Sequence, residues 1–146
     1  MIRQHQIYRF AIGVVILFIS PAMAVTQIFE AELDPAPFDA TNSADVIGSI
    51  GNITASLEGN ILTIQGNFSR MASPATAASV RVGLAKGVPG EAIGKLTVAH
   101  APEGQVSGSV ALTQDQVAAL QKQSLYIRID SAKAPEGNLQ GWLEGK

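Results

Sequence analysis

The chain has 146 residues, no cysteine and a formal net charge of −2, with 10 basic against 12 acidic side chains. That length suits one domain. The missing thiol excludes disulfide staples, thiolate metal sites, thiol catalysis and a lipid-modified cysteine, and the mildly acidic balance disfavours nucleic acid or an anionic membrane as partner, because both need a basic face.

Residues 1–24 read as an export signal. Arg3 and Arg9 make a basic start, Phe10 to Ile19 is apolar, Ser20 and Pro21 break the run, and Ala22-Met23-Ala24 offers the small residues that a signal peptidase reads. The apolar run spans about 10 residues where a membrane-spanning helix needs about 20, so an uncleaved anchor is the weaker reading. Cleavage is expected after Ala24. It removes two of the 10 basic residues and none of the 12 acidic ones, which leaves 8 − 12 = −4 on a working domain of residues 25–146. The expected location is periplasmic or secreted, with no membrane contact after the signal is gone. The domain keeps a single histidine, His100.

From there the apolar period is near two, punctuated by Gly, Pro, Asn and Asp. Phe29, Ala31 and Leu33 alternate with Glu30 and Glu32, which predicts a strand. Asp34 to Asp45 reads as a loop. Asp34, Asp39, Asn42 and Asp45 crowd it, but calcium-loop spacing is absent and such residues also favour turns. Ile53, Ala55 and Leu57, a Glu58-Gly59-Asn60 turn, then Leu62, Ile64 and Phe68 predict a hairpin. Ala78, Val80, Val82 and Leu84 alternate with Ser79, Arg81 and Gly83. Strands around Leu96 and Val98 and from Val106 to Leu112 follow. Thr113-Gln114-Asp115-Gln116 has the form of a capping box, so a short helix to about Lys122 is expected, with Val117 and Leu120 inward. Leu125, Ile127 and Ile129 close the domain on one strand face, with Tyr126, Arg128 and Asp130 on the other. The pattern predicts an all-β, antiparallel β-sandwich or barrel of about eight short strands with one short helix.

Three segments resemble the CHRD domain, the module named after chordin. They are Phe29-Glu30-Ala31-Glu32-Leu33; Ala77 to Gly83 with the Gly87 to Gly90 turn; and Leu125-Tyr126-Ile127-Arg128-Ile129-Asp130-Ser131 with Ala134-Pro135-Glu136-Gly137-Asn138-Leu139-Gln140-Gly141-Trp142-Leu143. The resemblance covers roughly Ile28 to Leu143 and implies a Greek-key β-sandwich, Ig-like or superoxide-dismutase-like, exported from the cytoplasm. It also implies a polar or metal site built from a His-x-His strand and a further histidine on the closing strand. This chain places Ser79, Arg81 and Asp130 at those positions and Gln140 where arginine is usual. A guanidinium cannot ligate a cation, so the expectation is a degenerate site with no metal and no cofactor, its place taken by an Arg81–Asp130 ion pair.

No motif of nucleophilic or phosphate chemistry survives scrutiny. Gly90-Glu91-Ala92-Ile93-Gly94-Lys95-Leu96 has one residue too few between the glycines and no Ser or Thr after the lysine, so it reads as a turn and strand start. His100 has no nucleophile with a telling neighbourhood and reads as a solvated loop residue. The Asn52-Ile53-Thr54 and Asn67-Phe68-Ser69 sequons read as chance. Trp142 is an exposed anchor or, the preferred reading, a cover over the sandwich edge. The leading expectation is a non-enzymatic binding or structural module whose candidate face is Arg81, Tyr126, Arg128, Asp130, Gln140 and Trp142, with an extracytoplasmic protein or envelope component as partner. A metal-binding or redox-protective protein is the alternative, and a hydrolase using His100 or paired carboxylates is the second.

Overall fold

A computed structural model describes residues 15–21 and 23–146. Most of the predicted signal, including Ala22, lies outside the described residues. Val15 to Ile19 are exposed and lack regular secondary structure. Among the described residues no helix is long and apolar enough to cross a membrane.

Nine strands and two short helices follow one another as β1 (Thr26–Pro35), α1 (Ser43–Val46), β2 (Ile50–Glu58), β3 (Ile61–Ser69), β4 (Ala75–Val82), β5 (Glu91–Val98), β6 (Gly104–Ala111), α2 (Gln114–Gln121), β7 (Leu125–Ser131), β8 (Leu139–Trp142) and β9 (Glu144–Gly145). Neighbours run in the order β2-β3-β6-β5-β4-β7-β8-β1-β9, and β1 also pairs β2. Eight strands therefore close on themselves, all antiparallel, with β9 added beside β1.

The expected sandwich of two separate sheets gives way to a closed barrel, and two strands make the difference. β1 pairs β2 from Thr26 to Leu33, then turns to β8 at Asp34 and Pro35. β5 pairs β4 from Glu91 to Leu96, then β6 at Thr97 and Val98. Each strand serves two sheets, so neither corner opens. Closure removes most of the free edges that invite aggregation. At the β1 corner the backbones almost touch: a Cβ on Gly141 would lie 2.2 Å from the Glu32 carbonyl oxygen, so only glycine fits.

The core follows the alternation. Phe29, Leu33, Ile53, Leu57, Leu62, Ile64, Phe68, Val80, Val106, Leu125, Ile127, Ile129, Leu139 and Leu143 fill the interior. Cβ atoms alternate across a strand, so one residue in two points inward and the other stays wet. The hairpin from Ile53 to Phe68 forms as expected, with Glu58 opposite Ile61. Helix α2 begins at the predicted box: the Thr113 hydroxyl accepts from the Gln116 N–H at 3.2 Å while Gln116 Oε1 accepts from the Thr113 N–H at 2.9 Å. Leu120 is fully buried from this helix, and Val117 packs against the core.

Three local expectations are corrected. Leu84 is no strand residue; β4 ends at Val82 and Leu84 stands 94% exposed in the following loop. The expected Asp34–Asp45 loop starts later, because Asp34 and Pro35 belong to β1, and it runs into the single-turn helix α1; the chain also adds β9 after β8.

Candidate functional site

The outer faces of β4, β7 and β8 carry the candidate residues. Registers place Arg81 opposite Tyr126 and Tyr126 opposite Trp142; one step along, Ser79 faces Arg128 and Arg128 faces Gln140. The six are brought together, and four of them, Arg81, Tyr126, Arg128 and Asp130, have polar partners within the fold.

Tyr126 is 1% exposed. Its hydroxyl accepts from the Gly90 N–H at 3.0 Å and donates to the Gly90 carbonyl at 3.1 Å. Arg81 Nε donates to the same carbonyl at 3.0 Å. Both side chains thus bind the loop between Val82 and Glu91 back onto the sheet. Gly90 is needed there because a Cβ would lie 1.7 Å from the Val82 carbonyl oxygen. Trp142 lies against Tyr126, ring centroids 4.4 Å apart and tilted by 33°, within the range of a favourable aromatic pair. It is half-buried and covers the Tyr126 side of the sheet while keeping one flank open.

The expected Arg81–Asp130 pair does not form. Asp130 sits opposite Ala77, four residues along β4 from Arg81. Its partner is Arg128, two residues away on its own strand and hence on the same face. Arg128 Nε lies 2.8 Å from Asp130 Oδ1, and Nη2 donates to Oδ2 at 3.4 Å. The side chains are only 21% and 14% exposed. Nε and Oδ1 are both buried and neither makes a well-aligned hydrogen bond, so the attraction of the two charges is what satisfies them. The turn at Gly137 lies over the arginine stem: a Cβ there would be 3.3 Å from Arg128 Cδ.

Ser79, Arg81 and Asp130 therefore do not fit a metal ion. One has a hydroxyl, one is a cation tied to Gly90, and the one carboxylate is engaged by Arg128. Among the described residues, no three His, Asp or Glu side chains are gathered as a metal-binding group. Within the Asp34–Asp45 segment, Asp39 and Asn42 serve a turn of their own. Asp39 accepts from the Thr41 N–H at 2.7 Å and from its hydroxyl, and Asn42 Oδ1 accepts from the Asp39 N–H at 2.9 Å. The two Thr41 bonds, the hydroxyl first, lower the Asp39 carboxyl pKa from its ordinary value. Asp45 lies 4.0 Å from Lys133, and Asp34 belongs to the groove described next. His100 is exposed, and Glu91 to Val98 is strand rather than a phosphate loop.

Of the six, Gln140 and Trp142 reach a surface concavity, and it is one the sequence reading did not single out. A groove of about 860 Å³ is lined by Glu30, Glu32 and Asp34 of β1, Asn52 and Thr54 of β2, Gln140 and Trp142 of β8, and Lys86, Glu144 and Lys146. It lies beside the edge of β1 that passes from β8, at Asp34, to β9, at Glu30. Between those two pairings the chain turns inward at Leu143, whose N–H donates to the Leu125 carbonyl at 2.9 Å. Lys86 is ion-paired with Glu144, and Lys146 with Glu30 at 2.9 Å. The Glu30 hydrogen bond and charge raise the Lys146 pKa above its ordinary value. The acidic alternation of β1 was visible in the sequence. What faces it was not, because the opposite wall comes from residues more than fifty positions downstream.

A second missed feature is a buried polar chain behind the β7–β8 turn. Ser131 Oγ donates to Asn138 Oδ1 at 2.8 Å, Asn138 Nδ2 donates to Ser49 Oγ at 2.9 Å, and Ser49 Oγ donates to the Val46 carbonyl at 2.6 Å. The Ala134 N–H closes it on Ser131 Oγ at 3.1 Å. Asn138, Ser49 and Ser131 are fully buried, so each polar atom needs such a partner. The chain pins α1 and the turn over Arg128 to the barrel.

The barrel, its capped helix and the closing strand–turn–strand make up an all-β module. The chain belongs to the CHRD domain family, whose model matches residues 29–143. Comparison with curated proteins and with solved structures gives no match.

Proposed function

We propose that the chain is an exported, non-enzymatic CHRD module that binds a protein or other component of the cell envelope through the groove between β1 and β8. On this reading residues 1–24 are a signal removed after Ala24, residues 25–146 are the working domain, and the β3–β6 and β4–β7 crossings are Greek-key connections. The place of action is the periplasm or the cell exterior. One observation carries the reading. Of the six candidate residues, Arg81, Tyr126, Arg128 and Asp130 are consumed by internal bonds, whereas Gln140 and Trp142 line a groove large enough for several side chains. A half-buried tryptophan on a rigid support is a typical interface anchor.

Crosslinking in the native envelope tests it, with wild-type protein and the Trp142→Ala variant compared by mass spectrometry. One specific partner present with wild type and absent with Trp142→Ala supports a groove-binding module. The same captured set for both, in a variant that still folds, overturns it.

A further inference from the structure

We propose that the occupant of this groove is an extended basic segment of a partner protein, carrying Lys or Arg at alternate positions. The inference rests on the groove-binding reading and names its ligand class.

Three observations converge on it. First, Glu30, Glu32 and Asp34 stand on the same outer face of β1 and all line the groove. Side chains two residues apart on a strand are about 7 Å apart, and an extended peptide repeats its own side chains at the same interval. A basic segment lying along β1 matches that ladder step for step.

Second, the molecule already places ammonium groups at this wall. Lys146 takes Glu30 and Lys86 takes Glu144. Among the described residues Glu32 and Asp34, the next two outward side chains along β1 from Glu30, take part in no ion pair and no side-chain hydrogen bond. The groove holds four carboxylates against two lysines, so two negative charges face an open channel. A low-dielectric wall on one side strengthens their pull on a cation.

Third, the wall opposite is suited to the rest of such a side chain. Trp142 is fixed by Tyr126 and borders the groove. An indole provides apolar surface for a Lys or Arg stem and a π-face for its head. Asn52, Thr54 and Gln140 supply donors and acceptors for a peptide backbone along the same channel. An anionic lipid surface or nucleic acid would meet repulsion at this place.

Fluorescence anisotropy tests the proposal with labelled Lys-Ser-Lys-Ser-Lys and, as controls, Glu-Ser-Glu-Ser-Glu and the block sequence Lys-Lys-Lys-Ser-Ser. Saturable binding is expected for the alternating basic probe, weaker for the block, absent for the acidic one, and falling as salt rises. The Glu32→Gln/Asp34→Asn variant should bind about tenfold more weakly, the loss of two exposed ion pairs. A Glu91→Gln/Glu103→Gln variant, with two exposed acids changed outside the groove, should bind as wild type; thermal melting confirms that both variants fold. No binding of the alternating probe, equal binding by Glu32→Gln/Asp34→Asn, or equal loss in the control variant overturns the proposal. A native partner lost with Trp142→Ala, yet not displaced by the basic probe, would defeat this inference while leaving the groove-binding module standing.

Discussion

Arg128 and Asp130 show how a position can look exposed in sequence and be structural in the fold. Each is a polar residue on the outward side of a half-polar strand, yet the Gly137 turn and neighbouring side chains cover most of both. A charge held in such a place depends on its partner: removing one member strands the other, whereas replacing both by apolar groups is often close to neutral. Arg128→Met is therefore expected to destabilise the barrel by about 1–3 kcal/mol, less than a fully buried pair because about a fifth of the arginine remains wet. The Arg128→Met/Asp130→Leu double variant should recover most of that loss. Urea unfolding of the four members of the cycle measures it, and a double variant no better than Arg128→Met would refute a mutually dependent pair.

Among the elements, α2 has the clearest local cause. Its start is written in Thr113 and Gln116, and its one fully buried side chain, Leu120, seats it on the barrel. Thr113→Ala removes the hydroxyl acceptor for the Gln116 N–H, and such caps contribute about 1 kcal/mol. Thermal melting should show a loss of about that size, with faster amide exchange confined to the first turn of the helix; an unchanged melting point would mean that the seat, not the cap, holds it. The strands tell the converse story. Their alternation set which residues point inward, and Phe29, Ile64, Val80 and Ile127 are buried as expected. Where they end was less visible: β4 stops at Val82, and Arg81 and Tyr126 hold Gly90 where the following loop returns to the sheet.

At the scale of the whole molecule, the chain's last described residues fasten onto its first strand. The Lys146 N–H donates to the Ile28 carbonyl at 3.0 Å, and its ammonium sits on Glu30. The lysine pKa is raised in the fold. Its contribution is therefore complete below the ordinary lysine value and is lost as pH rises through the raised one. The melting difference between wild type and Lys146→Met should persist at neutral pH and vanish in strongly alkaline solution. A difference that survives there would assign the effect to side-chain packing instead of charge.

The sequence by itself determined the all-β class, the family, the helix cap and the inward set of each strand, because all of these follow from spacing within a few neighbouring residues. It also displayed the acid alternation at Glu30 and Glu32, whereas Asp34 joined that row only in the fold. Only the tertiary structure decided that the sheets close into a ring, that Asp130 belongs to Arg128 and not to Arg81, and that Gln140 and Trp142 face a groove. Those outcomes depend on which distant strands become neighbours and in what register. A single change of partner, made by β1 at Asp34 and by β5 at Thr97, turns two sheets into one barrel. No local pattern carries that choice, since the same alternation of side chains serves a strand whether its edge meets one neighbour or is handed from one to the next.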